Sequence, residues 1–396
     1  MKNKATQKNI PDGWQARKLA SIFEFKNGLN KEKEFFGHGT PIINYMDINK
    51  GGGLYKDNIF GRVEVNKSEL ARFNVVRGDV FFTRTSETLD EIGFSAVALD
   101  NFQDTVFSGF VLRARPKEEL LLPEYAQYCF RAQSARKEIM EKSSYTTRAL
   151  TSGTLLNHVN INLPPLPEQK RIVAVLETWD KAIEKLAKKI EIKKEVKRGL
   201  MQDLLTGKKR PPGFEDKWEI KKLVDICDKE KSDVSANTLD SNRGDYPIYG
   251  ASGFIKNIDF YKQKKSYISI IKDGAGVGRL TLHKAQTSVL GTLDILHENK
   301  NSDLMFLYFL LQIIDFKKYM VGSTIPHIYF KDYKKEKIVI PDIKEQKAIA
   351  DILTIADKEI HKLEEKLITL QEQKRYLLNN LVTGTIRTPE TLSIHK

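Results

Sequence analysis

Cysteine is almost missing from these 396 residues: Cys129 and Cys227 are the only two, which excludes a disulfide scaffold and fits a reducing compartment. Long apolar runs are missing as well. The longest, Leu304 to Ile314, is broken by Gln312 and falls short of the ~18–20 residues a membrane helix needs, which argues against an integral membrane protein. The opening MKNKATQKNIPDGW is basic but lacks the apolar core of a secretory signal, so a cytoplasmic location is expected. No G-x-x-x-x-G-K-[ST] string occurs, so there is no phosphate loop to drive translocation with ATP. Seven scattered histidines and two distant cysteines offer no zinc spacing, and neither a metal nor a cofactor is expected. Acidic residues are in short supply: 52 Asp and Glu face 65 Lys and Arg, a net charge of +13 that favours an anionic partner.

What the chain has in plenty is repetition. Glu168-Gln169-Lys170 returns as Glu345-Gln346-Lys347, an offset of 177 that then pairs Ile172 with Ile349, Leu176 with Leu353, Asp180 with Asp357, Ile183 with Ile360, Leu204 with Leu381, Gly207 with Gly384 and Arg210 with Arg387. Each copy spaces its apolar residues by alternating steps of four and three, Ile172, Leu176, Trp179, Ile183, Leu186 and Ile190 in the first, Ile349, Leu353, Ala356, Ile360, Leu363 and Leu367 in the second. That is the seam of a coiled coil. Lys193 and Lys197 interrupt the first seam and Lys374 the second. Proline precedes each helix, Asp342 and Glu345 have capping-box spacing, and Gly207 and Gly384 stand where a helix C-cap glycine belongs. Each helix of roughly 38 residues would be about 57 Å long. Val175 with Ile352, Met201 with Leu378, and Leu205 with Val382 are apolar in both copies but lie off the seam. They are candidates for binding a partner, although a wide apolar face can equally cover a neighbouring domain.

Ahead of each helix lies a domain-sized segment opened by a tryptophan, Trp14 five residues before Leu19 and Trp218 five before Leu223. Between the halves, Lys208 to Trp218 is basic and proline-rich and cannot continue a helix. The boundaries expected are domain 1–164, helix 165–207, linker 208–217, domain 218–341, helix 342–384 and tail 385–396. Within the domains, short β-rich runs (Val80–Phe82, Ser95–Leu99, Val106–Leu112, Ser266–Ile271, Arg279–Leu282) precede one helical stretch each, around Pro123–Glu141 and Asp303–Lys318. The expected class is α/β, or mixed α+β.

Enzymatic motifs fail on inspection. Tyr267 to Ile271 followed by Gly274, Gly276 and Gly278 is how a methyl-donor or dinucleotide site begins, but Arg279 to Leu282 reads as a second strand where such a site needs a helix. An adenine methyltransferase would carry an Asn/Asp-Pro-Pro-aromatic tetrapeptide, and Asn162-Leu163-Pro164-Pro165-Leu166 is not one. Glu168 with Lys170 and Glu345 with Lys347 imitate half of a nuclease site, yet both sit at helix starts, where acids are favoured anyway. What remains is binding. Polar loops with basic members suit the reading of base edges. The DNA-contact candidates are Asn44, Tyr45, Arg84, Thr85, Ser86, Thr146, Thr147 and Arg148 in the first domain, and Tyr249, Ser252, Lys272, Arg279, Ser323, Thr324 and His327 in the second.

With its two Leu-Pro-Pro-Leu-Pro-Glu-Gln-Lys-like helix starts, two Leu-x-Thr-Gly helix ends, two Trp-x4-Leu openings and Tyr246-Pro247-Ile248-Tyr249-Gly250-Ala251-Ser252-Gly253, the whole chain resembles the specificity subunits of type I restriction-modification systems. The resemblance implies two target recognition domains separated by two long antiparallel coiled-coil helices, an internal duplication with pseudo-twofold symmetry. It implies that each domain reads half of a split, asymmetric site in double-stranded DNA, and that two modification (methyltransferase) subunits dock on the helices. Restriction (nuclease and translocase) subunits would complete the complex, and catalysis would belong to these partners. The first domain has Gly39-Thr40-Pro41-Ile42-Ile43-Asn44 where the second has the fuller tyrosine and glycine string. Two other readings stay open at this point, a methyl-donor-dependent DNA methyltransferase built on the glycine loop and a purely structural coiled-coil scaffold.

Overall fold

The computed structural model describes residues 10–392. The first nine residues of the expected first domain and the last four of the expected tail lie outside the described residues. By internal contact the chain forms two compact units, Met1–Lys185 with Leu367–Lys396, and Leu186–Lys366. The division expected from the sequence sets whole helices apart from domains, whereas each compact unit takes a share of both helices.

In the first unit, a five-stranded sheet runs in the order Phe23–Asn27, Val111–Pro116, Val80–Thr83, Ser95–Ala98 and Gly52–Leu54. Its neighbours are antiparallel except the last pair. In the second unit, Cys227–Lys231, Leu293–Glu298, Tyr267–Ile271 and Leu280–His283 repeat the first four positions, all antiparallel. Each unit adds a small sheet with one parallel pair, Phe36–Ile43 beside Val106–Phe107 and Tyr246–Gly250 beside Ser288–Val289. Each also opens with a strand paired to the one just before its long helix, Gln15–Lys18 with Asn160–Leu163 and Glu219–Lys222 with Lys337–Ile340. Part of the extra length of the first segment goes into Gly52–Leu54 and a three-stranded sheet of Ser144–Tyr145, Ala149–Leu150 and Thr85–Ser86.

The long helices span Leu166–Leu205 and Ile343–Thr383, 40 and 41 residues, about 60 Å each. Both stop at a glycine with positive φ, Gly207 at 72° and Gly384 at 70°, as the C-cap reading requires. In the first unit Asp180 of the first helix pairs with Lys374 of the second, and in the other Lys197 pairs with Asp357. In the first unit Glu168 also meets Arg387, just past the end of the second helix, and in the other Lys194 meets Glu364, so the helix segments within each unit are antiparallel. Two of the lysines that interrupt the apolar pattern are the cationic partners of Asp180 and Asp357 and lie against aromatic rings, Lys374 5.5 Å from Tyr128 and Lys197 5.4 Å from Phe309, while the third, Lys193, pairs with Glu359 at 2.8 Å. No helix among the described residues is long and apolar enough to cross a membrane.

The Glu-Gln pair at each helix start is a junction. Glu168, 3 % exposed, accepts from Trp14 Nε1 at 2.9 Å and from Arg387 Nε and Nη2 at 2.6 and 2.8 Å. Glu345, fully buried, accepts from Trp218 Nε1 at 3.1 Å and from Arg210 Nε and Nη2 at 2.8 and 2.6 Å. Gln169 accepts from the Leu122 amide and donates to Leu120 and Pro164 carbonyls, as Gln346 does with Asp303, Asn301 and Pro341. The nuclease-like Glu-x-Lys spacing is thus structural: the acid is saturated by donors and the lysine two residues on is exposed. Asp342 does cap its helix, accepting from the Lys344 amide at 2.7 Å. Glu345 does not close the expected capping box, because Arg210 and Trp218 occupy its carboxylate.

Candidate functional site

In the first unit, the strand Val80–Thr83 ends at Arg84, and Thr85–Ser86 pairs with Ala149–Leu150, setting Ser86 opposite Ala149 and Thr85 opposite Leu150. The turn that carries Thr146, Thr147 and Arg148 leads into this pairing, and Arg148 meets Glu87 at 3.2 Å. Five of the candidates, Thr85, Ser86, Thr146, Thr147 and Arg148, thereby share one small sheet with Arg84 beside it. Arg84 Nη1 donates to the Gly109 carbonyl at 2.9 Å while its buried Nε has no partner among the described residues. Asn44 caps the helix Tyr45–Lys50, its amide donating to Asp47 at 2.8 Å. Burial, then the carboxylates of Glu91 and Glu87, push the Tyr45 phenol upward.

In the second unit, Gly274, Gly276 and Gly278 all have positive φ, and the loop joins Tyr267–Ile271 to the antiparallel strand Leu280–His283. A hairpin follows the glycines, so the loop lacks the helix a methyl-donor site would use. Its two ends reach different neighbours. Arg279 donates to the Ala251 carbonyl beside Ser252, while Asp273 holds His327 Nδ1 at 2.8 Å and the Gly274 amide donates to the Pro326 carbonyl at 3.0 Å. Tyr249, Ser252 and Arg279 form one cluster. Lys272, His327 and the exposed turn with Ser323 and Thr324 form another.

Behind Tyr249 lies a residue the sequence did not single out. His283, 5 % exposed, stacks on Tyr267 at 4.9 Å, touches Tyr249 at 4.7 Å and meets Ser269 Oγ at 2.8 Å through Nε2. The alternation Leu280, Leu282 against Thr281, His283 on this strand puts His283 on the face of Thr281, yet periodicity cannot say which face is covered. Burial pushes its imidazole down to about 4. Below the unfolded value of ~6.5 the unfolded chain takes up a proton that the folded chain refuses, so stability is full above pH ~6.5 and falls as pH drops toward 4. The loss amounts to on the order of 3 kcal/mol. His283→Gln should flatten this acid slope in denaturant titrations run between pH 7 and 4; an unchanged slope would remove His283 as its cause.

Of the six off-seam apolar positions, three are buried and three are partly buried. Met201 and Leu205 are buried in the core of the second unit with Ile352 packed against it, and Val382 is buried in the first with Val175 and Leu378 against it. These positions pack on the cores of the units, and Val175, Ile352 and Leu378 keep part of their surface exposed. Both cysteines are free and buried, and burial pushes each thiol up to about 12, far from a reactive thiolate.

These two scaffolds, alike in sheet and junction and different in loops, match a known family. The type I restriction modification DNA specificity domain covers residues 11–194 and again 215–371. The chain belongs to this family. As a type I specificity subunit it is a non-catalytic member of a restriction-modification system. It is 27% identical to a putative type I restriction enzyme MjaX specificity subunit of Methanocaldococcus jannaschii, over 96% of this chain and 95% of the relative. It also resembles, at 24% identity over 93% of each chain, a putative type I specificity subunit of Mycoplasma genitalium. Among solved structures, the S subunit from M. genitalium aligns over 95% of this chain and 97% of its own with a TM-score of 0.58 at 19% identity. A chain from a structure of type I complex assembly and conformational transition aligns over 96% and 100% with a TM-score of 0.63 at 16% identity. At these identities the likeness is one of fold, and it spans both duplicated units.

Proposed function

We propose that this chain reads an asymmetric, bipartite site in double-stranded DNA, one half-site per unit, and brings that choice to a type I restriction-modification complex in the cytoplasm. Two modification subunits dock on the long helices, restriction subunits join the full complex, and helix length sets the gap between half-sites. One observation carries the reading. The order and register of the four shared strands and the Trp-Glu-Arg junction are the same in both units, whereas the loops at the end of the third sheet strand are not. After Thr83 comes a three-stranded polar sheet with Arg84, Thr85, Ser86, Thr146, Thr147 and Arg148; after Ile271 comes a glycine hairpin with Lys272 at one end, near Ser323, Thr324 and His327, and Arg279 at the other, near Tyr249 and Ser252. A common rigid frame with unlike loop chemistry is suited to two different base preferences. Asn44 and Tyr45 follow the strand Phe36–Ile43, and Tyr249 and Ser252 lie at the end of its counterpart Tyr246–Gly250. The net charge of +13 supplies the attraction to phosphate that any such reading needs.

The test is exchange. Replacing residues 215–341 with the matching segment of a relative that marks a different site should change one half of the methylated motif and leave the other. If both halves change together, the units do not read independently.

A further inference from the structure

Lys229 and Lys231 alternate along the strand Cys227–Lys231 and so share a face, while Lys331 and Lys334 lie three apart at the short helix Phe330–Tyr333. The fold brings these four together with Lys272, at the end of its strand, around a cavity of about 450 Å³. Its floor holds Asp294, 3 % exposed, whose Oδ1 lies 3.3 Å from both Lys229 Nζ and Lys272 Nζ. A buried carboxylate that holds two ammonium groups fixes them in place but neutralises only one of the two charges. Among the described residues Lys231, Lys331 and Lys334 have no carboxylate partner, and Lys331 lies over the exposed ring of Tyr329 at 5.3 Å. Asp273, also on the wall, is engaged by His327. Five ammonium groups against two carboxylates leave a concave excess of positive charge.

The first unit has a cavity at the same place. The ladders set Leu112 opposite Asn27 there and Asp294 opposite Lys231 here, and the offset of 177 carries Ser152, Thr154 and Asn157 onto Tyr329, Lys331 and Lys334. The backbone agrees: the Thr151 amide donates to the Arg84 carbonyl at 2.9 Å, as the Ile328 amide does to Lys272 at 2.9 Å. The concavity, about 570 Å³ in the first unit, thus belongs to the scaffold; there its charged lining is Arg84, Lys117 and Glu24, a smaller positive excess than in the second unit. Asn27, Thr154 and Asn157 stand where the second unit has Lys231, Lys331 and Lys334, while Arg84 keeps the cation of Lys272.

We propose that the lysine-lined cavity of the second unit seats phosphodiester groups of the DNA backbone beside the second half-site. This rests on the DNA-reading function above. Asp294 is a positioning residue: it holds Lys229 and Lys272 on the floor, while Lys231, Lys331 and Lys334 meet the phosphate from the rim. The seat fixes register and orientation and carries no base preference, which stays with the loops. The two half-sites are consequently bound with unequal salt dependence.

The test uses the full chain co-expressed with its modification subunits and a labelled 40-base-pair duplex carrying the motif that methylome sequencing returns. The triple variant Lys231→Gln, Lys331→Gln, Lys334→Gln should bind this duplex about tenfold more weakly at ~0.1 M salt, with a log affinity against log salt slope shallower by about one or more. The control variant Lys264→Gln, Lys265→Gln, Lys284→Gln removes the same charge from the other end of the Tyr267–Ile271 and Leu280–His283 hairpin, and should keep the wild-type slope. The methylated bases should be those of the wild type in both. A rim variant with wild-type affinity and slope overturns the seat, and so does a control variant with the same loss, which would mean bulk charge. A complex that marks no motif at all overturns the DNA reading itself and the seat with it.

Discussion

Deleting residues 183–189 and 360–366 together should shorten the unread gap of the recognised site by about three base pairs while leaving the bases of both half-sites unchanged. The two stretches are corresponding heptads, so their removal keeps the phase of the apolar seam. Lys374 with Asp180 in one unit and Lys197 with Asp357 in the other keep their places. Of the pairs that do change, Lys194 with Glu364 at 3.0 Å is roughly half-exposed and worth little. Seven residues at ~1.5 Å shorten each helix by roughly 10.5 Å, and a base pair rises ~3.4 Å. Three base pairs also turn the duplex by roughly 100°, so total activity should fall sharply on the natural spacing. Selection on duplexes with randomised gaps reads the outcome. New half-site bases with the old gap would refute helix length as the ruler.

The second large effect is on stability. Glu345 receives three N–H donors from Arg210 and Trp218, joining the chain that follows one long helix, the opening of the second domain and the start of the other long helix. A carboxylate offers only acceptors to this set; the isosteric amide turns an NH2 group toward a guanidinium and leaves a buried donor unsatisfied. Glu345→Gln should therefore lower the Tm by on the order of 5–10 °C, and Glu168→Gln, which meets Trp14 and Arg387 in the same way, should act in the same direction. Differential scanning calorimetry decides it. A shift below about 1 °C would mean that the junction is held by packing alone.

Much of the frame is legible in the sequence because it is local or repeated. Helix limits expected at 165–207 and 342–384 come out as Leu166–Leu205 and Ile343–Thr383, since proline, acid and glycine mark each end within a turn. Runs that look continuous are broken where a turn intervenes. Val106–Leu112 divides into Val106–Phe107 and a strand from Val111, because the Gly109 amide turns back to the Leu29 carbonyl at 2.7 Å. Pro123–Glu141 likewise divides into Pro123–Cys129 and Gln133–Lys142. Distant chemistry is less legible. Nothing near Glu345 announces Arg210, 135 residues away, and period alone cannot reveal that Met201 and Val382 are covered by their own domains. The cavity lysines come from three separate segments, and only Lys229 with Lys231 on one strand and Lys331 with Lys334 on one short helix leave local spacings that pattern reading could use.

The central claim, one half-site per unit on a common frame, is tested most directly by sequencing the methylome of a host that expresses this chain with its modification subunits. The account predicts a single new motif made of two unlike half-sites separated by a fixed stretch of unread bases, absent when either protein is expressed alone. A continuous motif, two identical half-sites, or methylation that persists without this chain would contradict it.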